Sequence, residues 1–281
     1  VIDGVIAKLD AKAKTVDGLL RGEQSKITLS ITLSNDKEIL PSECSITYES
    51  VDENVMTVDS NGTMTACNPG RTEIIIRAEK DGYAKETSIA VSVFEKRLGT
   101  LPEGFKEVNF GTSHGFADLK DNSIFIKSTG DNYWGTVDDG YMLYKPIQTD
   151  DEVVLEGQIM SLWNTNNNAA VGLTFRDGIE ADGAHFTVRM AANTDLFCIW
   201  RDSKSANTQP YWVKKAKWGT YKRIVKNKNT FTVYISEDGK DYTNIYQQTV
   251  SINNCVAGIS QFSQNIMSTE SEISGFRIIE N

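Results

Sequence analysis

The sequence predicts an all-β protein built as two β-sandwiches in series. Three observations carry this expectation. Helical periodicity is almost absent from the 281 residues, while period-two alternation of apolar and polar residues recurs throughout. The alternating runs are short, rich in β-branched residues and split by Gly, Pro, Asn and Asp. The alternation lapses at FEKRLGTLPEG (94–104), where charge, Gly and Pro gather, so two domains are expected, 1–97 and 98–281.

In the first domain the candidate strands are KITLSITLS (26–34), SITYES (45–50), VMTVDS (55–60), GTMTAC (62–67), TEIIIRAE (72–79) and TSIAVSVF (87–94). Each has one apolar face to bury, which requires two facing sheets. Asn61-Gly62 lies between two of these runs and is expected to supply the positive φ angles of a tight hairpin. The hairpin accounts for Asn61 and Gly62, so the glycosylation sequon that Thr63 completes carries little weight.

In the second domain the candidate strands are 123–128, 140–147, 152–162, 169–176, 184–191, 195–201, 220–227, 230–236, 242–249, 255–262 and 273–279. That number suits a large two-sheet jelly roll. SEDGKDY (236–242) joins two of them, with Asp238-Gly239 as the turn and Tyr242 packing back across it.

Composition narrows the function. Hydrophobic content of 40% and charged content of 24% describe a soluble globular chain. A net charge of −9 argues against nucleic acid or an anionic membrane as partner, and no apolar run reaches the length of a membrane span. The chain begins at Val1 without a signal-peptide pattern and reads as a processed or excised piece of something longer. Two His and four scattered Cys give no zinc site. A Cys44–Cys67 bridge is open, with unpaired thiols the favoured reading.

The stretch ITYESVDENVMTVDSNGTMTACNPGRTEIIIRAEKDGYAKETSIAVSV resembles a bacterial immunoglobulin-like domain of group 2, over roughly residues 1–96. The resemblance implies an extracellular spacer or adhesive module without catalysis. The ordered series TGDNYWGTVDDGYMLYKPI, VVLEGQIMS, AAVGLTFRD, HFTVRM, FCIWRD and NTFTVYISEDGKDY resembles concanavalin A-like jelly-roll modules appended to secreted bacterial glycoside hydrolases and polysaccharide lyases. It covers roughly 105–281 and departs from the pattern at QPYWVKKAKWGTYKR (209–223). Together the resemblances imply an all-β chain, an immunoglobulin-like β-sandwich followed by a concanavalin A-like jelly-roll β-sandwich. They imply an extracellular or cell-surface location, a polysaccharide or host glycan as partner and a monomer. They also imply a common sugar-binding surface on the concave face and the possibility of one structural calcium, with Asp138-Asp139 as a minority candidate.

Strand parity assigns the faces. Val153, Leu155, Val171, Leu173, Phe175, Phe186, Val188, Met190, Leu196, Cys198 and Trp200 fall on a dry core. Glu156, Gln158, Arg176, His185, Thr187, Arg189 and Arg201 fall opposite and would form a polar platform if their strands are neighbours. Sugar recognition needs flat rings for pyranose faces and bidentate groups for adjacent hydroxyls. The candidate ligand-binding residues are therefore Trp163, Arg176, Arg201, Trp134, Glu156, Trp212 and Arg189. Beside this stands the plainer reading, in which Arg176 and Arg201 pair with carboxylates across the sheet and Trp134 plugs the end of the sandwich. No catalytic motif is legible, and no nucleophile elbow or phosphate loop is present. The expectation is a non-catalytic carbohydrate-binding module with a spacer. The alternatives are an adhesin or linker binding a protein, and a cryptic glycosidase or lyase using Glu156.

Overall fold

The computed structural model describes residues 4–94, 101–149, 151–163 and 166–281, the side chains of 266 and 267 apart. The chain divides into two compact units, Val1–Lys96 and Arg97–Asn281, and is built almost wholly of strands. No helix among the described residues is long and apolar enough to cross a membrane.

The first unit holds β1 (Ile6–Ala13), β2 (Leu19–Leu20), β3 (Gln24–Leu33), β4 (Glu38–Ile39), β5 (Ser45–Ser50), β6 (Met56–Val58), β7 (Thr63–Ala66), β8 (Gly70–Lys80) and β9 (Tyr83–Phe94). One sheet runs β1-β3-β7-β6 with β4 beside β3, and the other runs β2-β9-β8-β5. The every-second-residue pattern does what parity demands: Ile74, Ile76 and Ala78 of β8 share a buried cluster with Ile27 and Ile31 of β3. The β6–β7 turn differs in detail from the sequence expectation. Only Gly62 has a positive φ, 76°, and Asp59 Oδ1 shapes the rest by accepting the backbone N–H of Asn61 and Thr63 at 2.9 and 2.8 Å. A Cβ at Gly62 would meet the Tyr48 ring at 2.8 Å. All four cysteines are free thiols, so the Cys44–Cys67 bridge is not formed.

The second unit holds β10 (Lys106–Phe110), β11 (Gly115–Lys120), β12 (Ser123–Gly130), β13 (Gly140–Pro146), β14 (Glu152–Trp163), β15 (Ala170–Asp177), β16 (His185–Ala191), β17 (Asp195–Arg201), β18 (Gln209–Lys215), β19 (Tyr221–Asn227), β20 (Thr230–Ser236), β21 (Thr243–Thr249), β22 (Cys255–Phe262) and β23 (Asn265–Glu280). Two seven-stranded sheets form, β10-β13-β22-β15-β16-β17-β18 and β11-β12-β23-β14-β19-β20-β21. The sequence missed β10, β11 and β18. All three are edge strands, where one-sided burial blurs alternation.

The core lies between these sheets. Phe186 stacks on Phe231 at 5.0 Å between ring centroids, and Phe175 tilts against Phe231 at 5.4 Å. Full burial of each such ring contributes about 1.5–3 kcal/mol. A second, smaller cluster forms on the outer face of the β10–β18 sheet. It includes Phe110, Tyr133, Met142, Ile199 and Phe262. A sandwich sheet with apolar groups on both faces must be covered on its outer side as well, and that cover builds the site.

Candidate functional site

Antiparallel register lines up the outer face of this sheet in rungs. One rung reads Arg176, His185, Arg201 across β15, β16 and β17. Two rungs away, Gly172, Arg189 and Phe197 stand side by side. The three arginines expected on one face are thus on one face. Their solvent exposure is the correction: Arg176 is 1% exposed, Arg201 0% and Arg189 8%.

The cover over the first rung is the loop between β12 and β13. It opens at Gly130, whose φ is 126° and whose Cβ would strike the Asp139 carbonyl at 2.7 Å. A backbone pair between Asn132 and Asp139 pinches the loop closed, at 3.0 and 2.7 Å. Tyr133 turns inward, 2% exposed. Its hydroxyl donates to the Tyr141 carbonyl at 2.7 Å, and its ring packs edge-on against Phe110 and Phe262. Tyr133 is thus the loop's buried aromatic, covering the outer face of the sheet, while Trp134, which the sequence offered as a plug, is not buried.

Asp138 fastens the loop from above. Its carboxylate accepts from Arg176 at 2.5 Å and from Arg201 at 2.7 Å, all three side chains being buried. Arg201 also donates to the carbonyls of Gly183, Ala181 and Gly135 at 3.0–3.2 Å. Burial pulls the Asp138 carboxyl upward, but the charges of Arg176 and Arg201 prevail and hold it below its usual value. His185, fully buried on the same rung, is pushed down to about 3 by burial, which with the three arginine charges outweighs the upward pull of Asp138. It is neutral at physiological pH. Arg176 and Arg201 are therefore fasteners and not ligand-facing groups. Asp138 is spent on them, while Asp139 accepts from Thr112 through Oδ2 at 2.7 Å and keeps Oδ1 without a partner among the described residues, so the suggested calcium pair has one oxygen unengaged. No cluster of metal-ligating side chains occurs among the described residues.

Beside the covered rung lies an open recess of about 360 Å³, lined by Asn132, Trp134, Asn168, Arg189, Ala191, Asn193, Asp195, Phe197, Phe262 and Gln264. Its volume lies within the range of small-molecule sites. Trp134, 43% exposed, is held at the rim by the backbone N–H it donates to Asn132 Oδ1 at 2.6 Å. The Arg189 guanidinium lies 4.9 Å from the Trp134 ring centroid, 5.2 Å from Phe197 and 5.4 Å from Phe262. Burial lowers Arg189 to about 10, so it remains charged at neutral pH. Asp195 is held by Trp212 Nε1 at 3.1 Å, Lys215 at 3.2 Å and Asn193 at 2.8 Å. The hydrogen bond from Trp212, aided by Lys215, keeps its carboxyl low.

Of the residues singled out in the sequence, Trp134 and Arg189 line the recess, and Trp212, 54% exposed, touches it only through Asp195. Trp163 is 80% exposed at the end of β14 and is not among the lining residues. Glu156 belongs to the other sheet and is clasped by Arg223 and Arg277 at 2.7 and 2.6 Å. It corrects the single polar platform: parity gave each strand an outer face but not which sheet's face it was. Gln264, Asn168 and Phe262 were not foreseen. They come from distant loops and strands, with no local pattern to mark them. A larger recess of about 480 Å³ lies between the edges of the two sheets. It is lined by Lys214, Lys215, Lys217, Glu237, Asp238 and Asp241 among others, with no aromatic ring.

Comparison with known proteins adds the fold. No family model matches the sequence. No curated protein matches it. Solved structures that resemble it include a functionally unknown protein from Saccharomyces cerevisiae, with a TM-score of 0.50 at 8% identity over 63% of this chain and 97% of that one. The carbohydrate-binding module CBM66 from Bacillus subtilis matches with a TM-score of 0.45 at 13% identity, over 63% and 96% of the two chains. The alginate lyase from Klebsiella pneumoniae matches with a TM-score of 0.39 at 10% identity, over 59% and 84%. The first match shows a shared all-β sandwich fold. The other two are too distant in shape to add to the argument, so function rests on the geometry of the recess.

Proposed function

We propose that the second unit is a non-catalytic carbohydrate-binding module and the first an immunoglobulin-like spacer. The pair would belong to a secreted or cell-surface bacterial carbohydrate-active protein. The observation that carries the reading is that one recess is lined by a half-exposed indole, the Arg189 guanidinium, Asn168 and Gln264, whose Oε1 has no partner among the described residues. A ring face with bidentate polar groups around it is what a pyranose needs. Two facts favour binding over catalysis. Glycoside hydrolysis ordinarily needs two carboxyl groups across the bond, whereas Asp195 is the one carboxylate among the lining residues and is already engaged. Glu156 is tied to two arginines.

A glycan array with plant and host polymers, probed with the full chain and with Trp134→Ala, tests this. The expected result is binding to at least one polysaccharide, weakened about tenfold or more in the variant, with unchanged melting and no released sugar. A silent array would refute the reading and leave a protein-binding adhesin. Released product would restore the cryptic enzyme.

A further inference from the structure

The outer-face arginines differ in one respect that bears on ligand class. Arg176 and Arg201 share Asp138. Arg189 has neither an ion pair nor a hydrogen bond among the described residues, whereas Arg176 and Arg201 have both; a buried Nε without a partner is common to all three. The contacts of Arg189 are three aromatic rings. A charge more than nine-tenths out of water is normally matched by a counter-charge. Asp195, the carboxylate on the same wall, is taken up by Trp212, Asn193 and Lys215. In the same recess Gln264 Oε1 is a buried acceptor without a donor among the described residues. Two residues at the margin, Gln264 and Thr194, hold left-handed backbone with φ of 49° and 71°. For the β-branched Thr194 this is strained.

We infer that the recess is specific for an acidic sugar, a residue bearing a carboxylate: the carboxylate takes the open guanidinium of Arg189, the pyranose lies against Trp134, and a ring hydroxyl donates to Gln264 Oε1. This inference rests on the carbohydrate-binding reading. A planar carboxylate suits the guanidinium fork, and the ligand supplies the counter-charge that the fold withholds. The aromatic walls leave the two charges poorly hydrated, which strengthens their attraction. The preference therefore resides in one residue.

The test is calorimetric titration of the full chain with oligogalacturonate and oligomannuronate against the neutral galactose and mannose oligomers of equal length. At least one acidic oligomer is expected to bind about tenfold or more tightly than its neutral counterpart, the usual gain of a charge-assisted pair. Arg189→Gln is expected to remove that preference while the chain still folds, because it breaks no ion pair or hydrogen bond among the described residues and loses only packing on Trp134, Phe197 and Phe262. Trp163→Ala is expected to keep the preference. Neutral oligomers binding equally well or better would overturn the acidic specificity while leaving the carbohydrate reading intact. A preference undiminished in Arg189→Gln would overturn the assignment to this recess. Binding of no sugar of either kind would overturn both. Should Arg189→Gln fail to fold, the acidic-against-neutral ratio of the parent chain still decides, and the failure itself would contradict an arginine kept for ligand.

Discussion

Asp138 decides whether the recess exists. It pairs with two buried arginines at once and ties the β12–β13 loop, with Trp134, onto the sheet. Removing one member of a buried ion triad strands the others, at about 3–5 kcal/mol. Asp138→Asn is therefore expected to lower unfolding stability by that amount in urea titration, and Arg201→Ala to lose ligand only together with stability. His185 adds a pH dependence of known sign. The unfolded imidazole takes up a proton near 6.5 and the folded one near 3. The unfolded state binds more protons between those values, so stability falls as pH drops through that window. Asp138, held low, acts in the same direction at the acid end. Melting followed from pH 7 to 3 should show the decline, and His185→Gln should flatten its upper part. Lys222 is a second base of this kind, buried in the sandwich with its ammonium donating to the Thr220 carbonyl at 2.8 Å. Burial lowers it to about 7, so stability should rise between pH 7 and 10.5. Lys222→Met should raise stability at pH 7, by about 1–4 kcal/mol as for other buried charges replaced by apolar groups.

Elements of the second unit buried on both sides were legible, whereas of its four edge strands only β21 was. β15, β16 and β22 have residues buried throughout their length, and their apolar runs stood out in the sequence. β18 is exposed almost throughout, so QPYWVKK shows no alternation and was set aside as a departure. The site was legible to the same extent. Parity placed Arg176, Arg189 and Arg201 on one face, but only the register and the folded-over loop show which of them is covered. The sequence offers Trp134, in the stretch before β13, as either a binding ring or a plug. The two aromatics of that stretch divide the work, Tyr133 inward and Trp134 at the rim. The same contrast between elements makes a kinetic expectation. Amides of β10 and β18 should exchange with solvent well before those of β15, β16 and β22. Equal protection across the sheet in a hydrogen-exchange time course would contradict this placement of the edges.

At the scale of the molecule, two β-sandwich units share a chain of net charge −9, and the proposed recess offers an acidic ligand one uncompensated positive group. Affinity for an acidic glycan must then arise locally, since the long-range field of the chain opposes it. The account is tested most directly by following the indole N–H resonances of all five tryptophans in the nitrogen-15-labelled full chain while oligogalacturonate or oligomannuronate is added. The expected result is a saturable shift of the Trp134 signal, with a smaller response from Trp212 through Asp195 and none from Trp163. A saturable shift confined to Trp163, or no shift at any tryptophan with either oligomer, would contradict it.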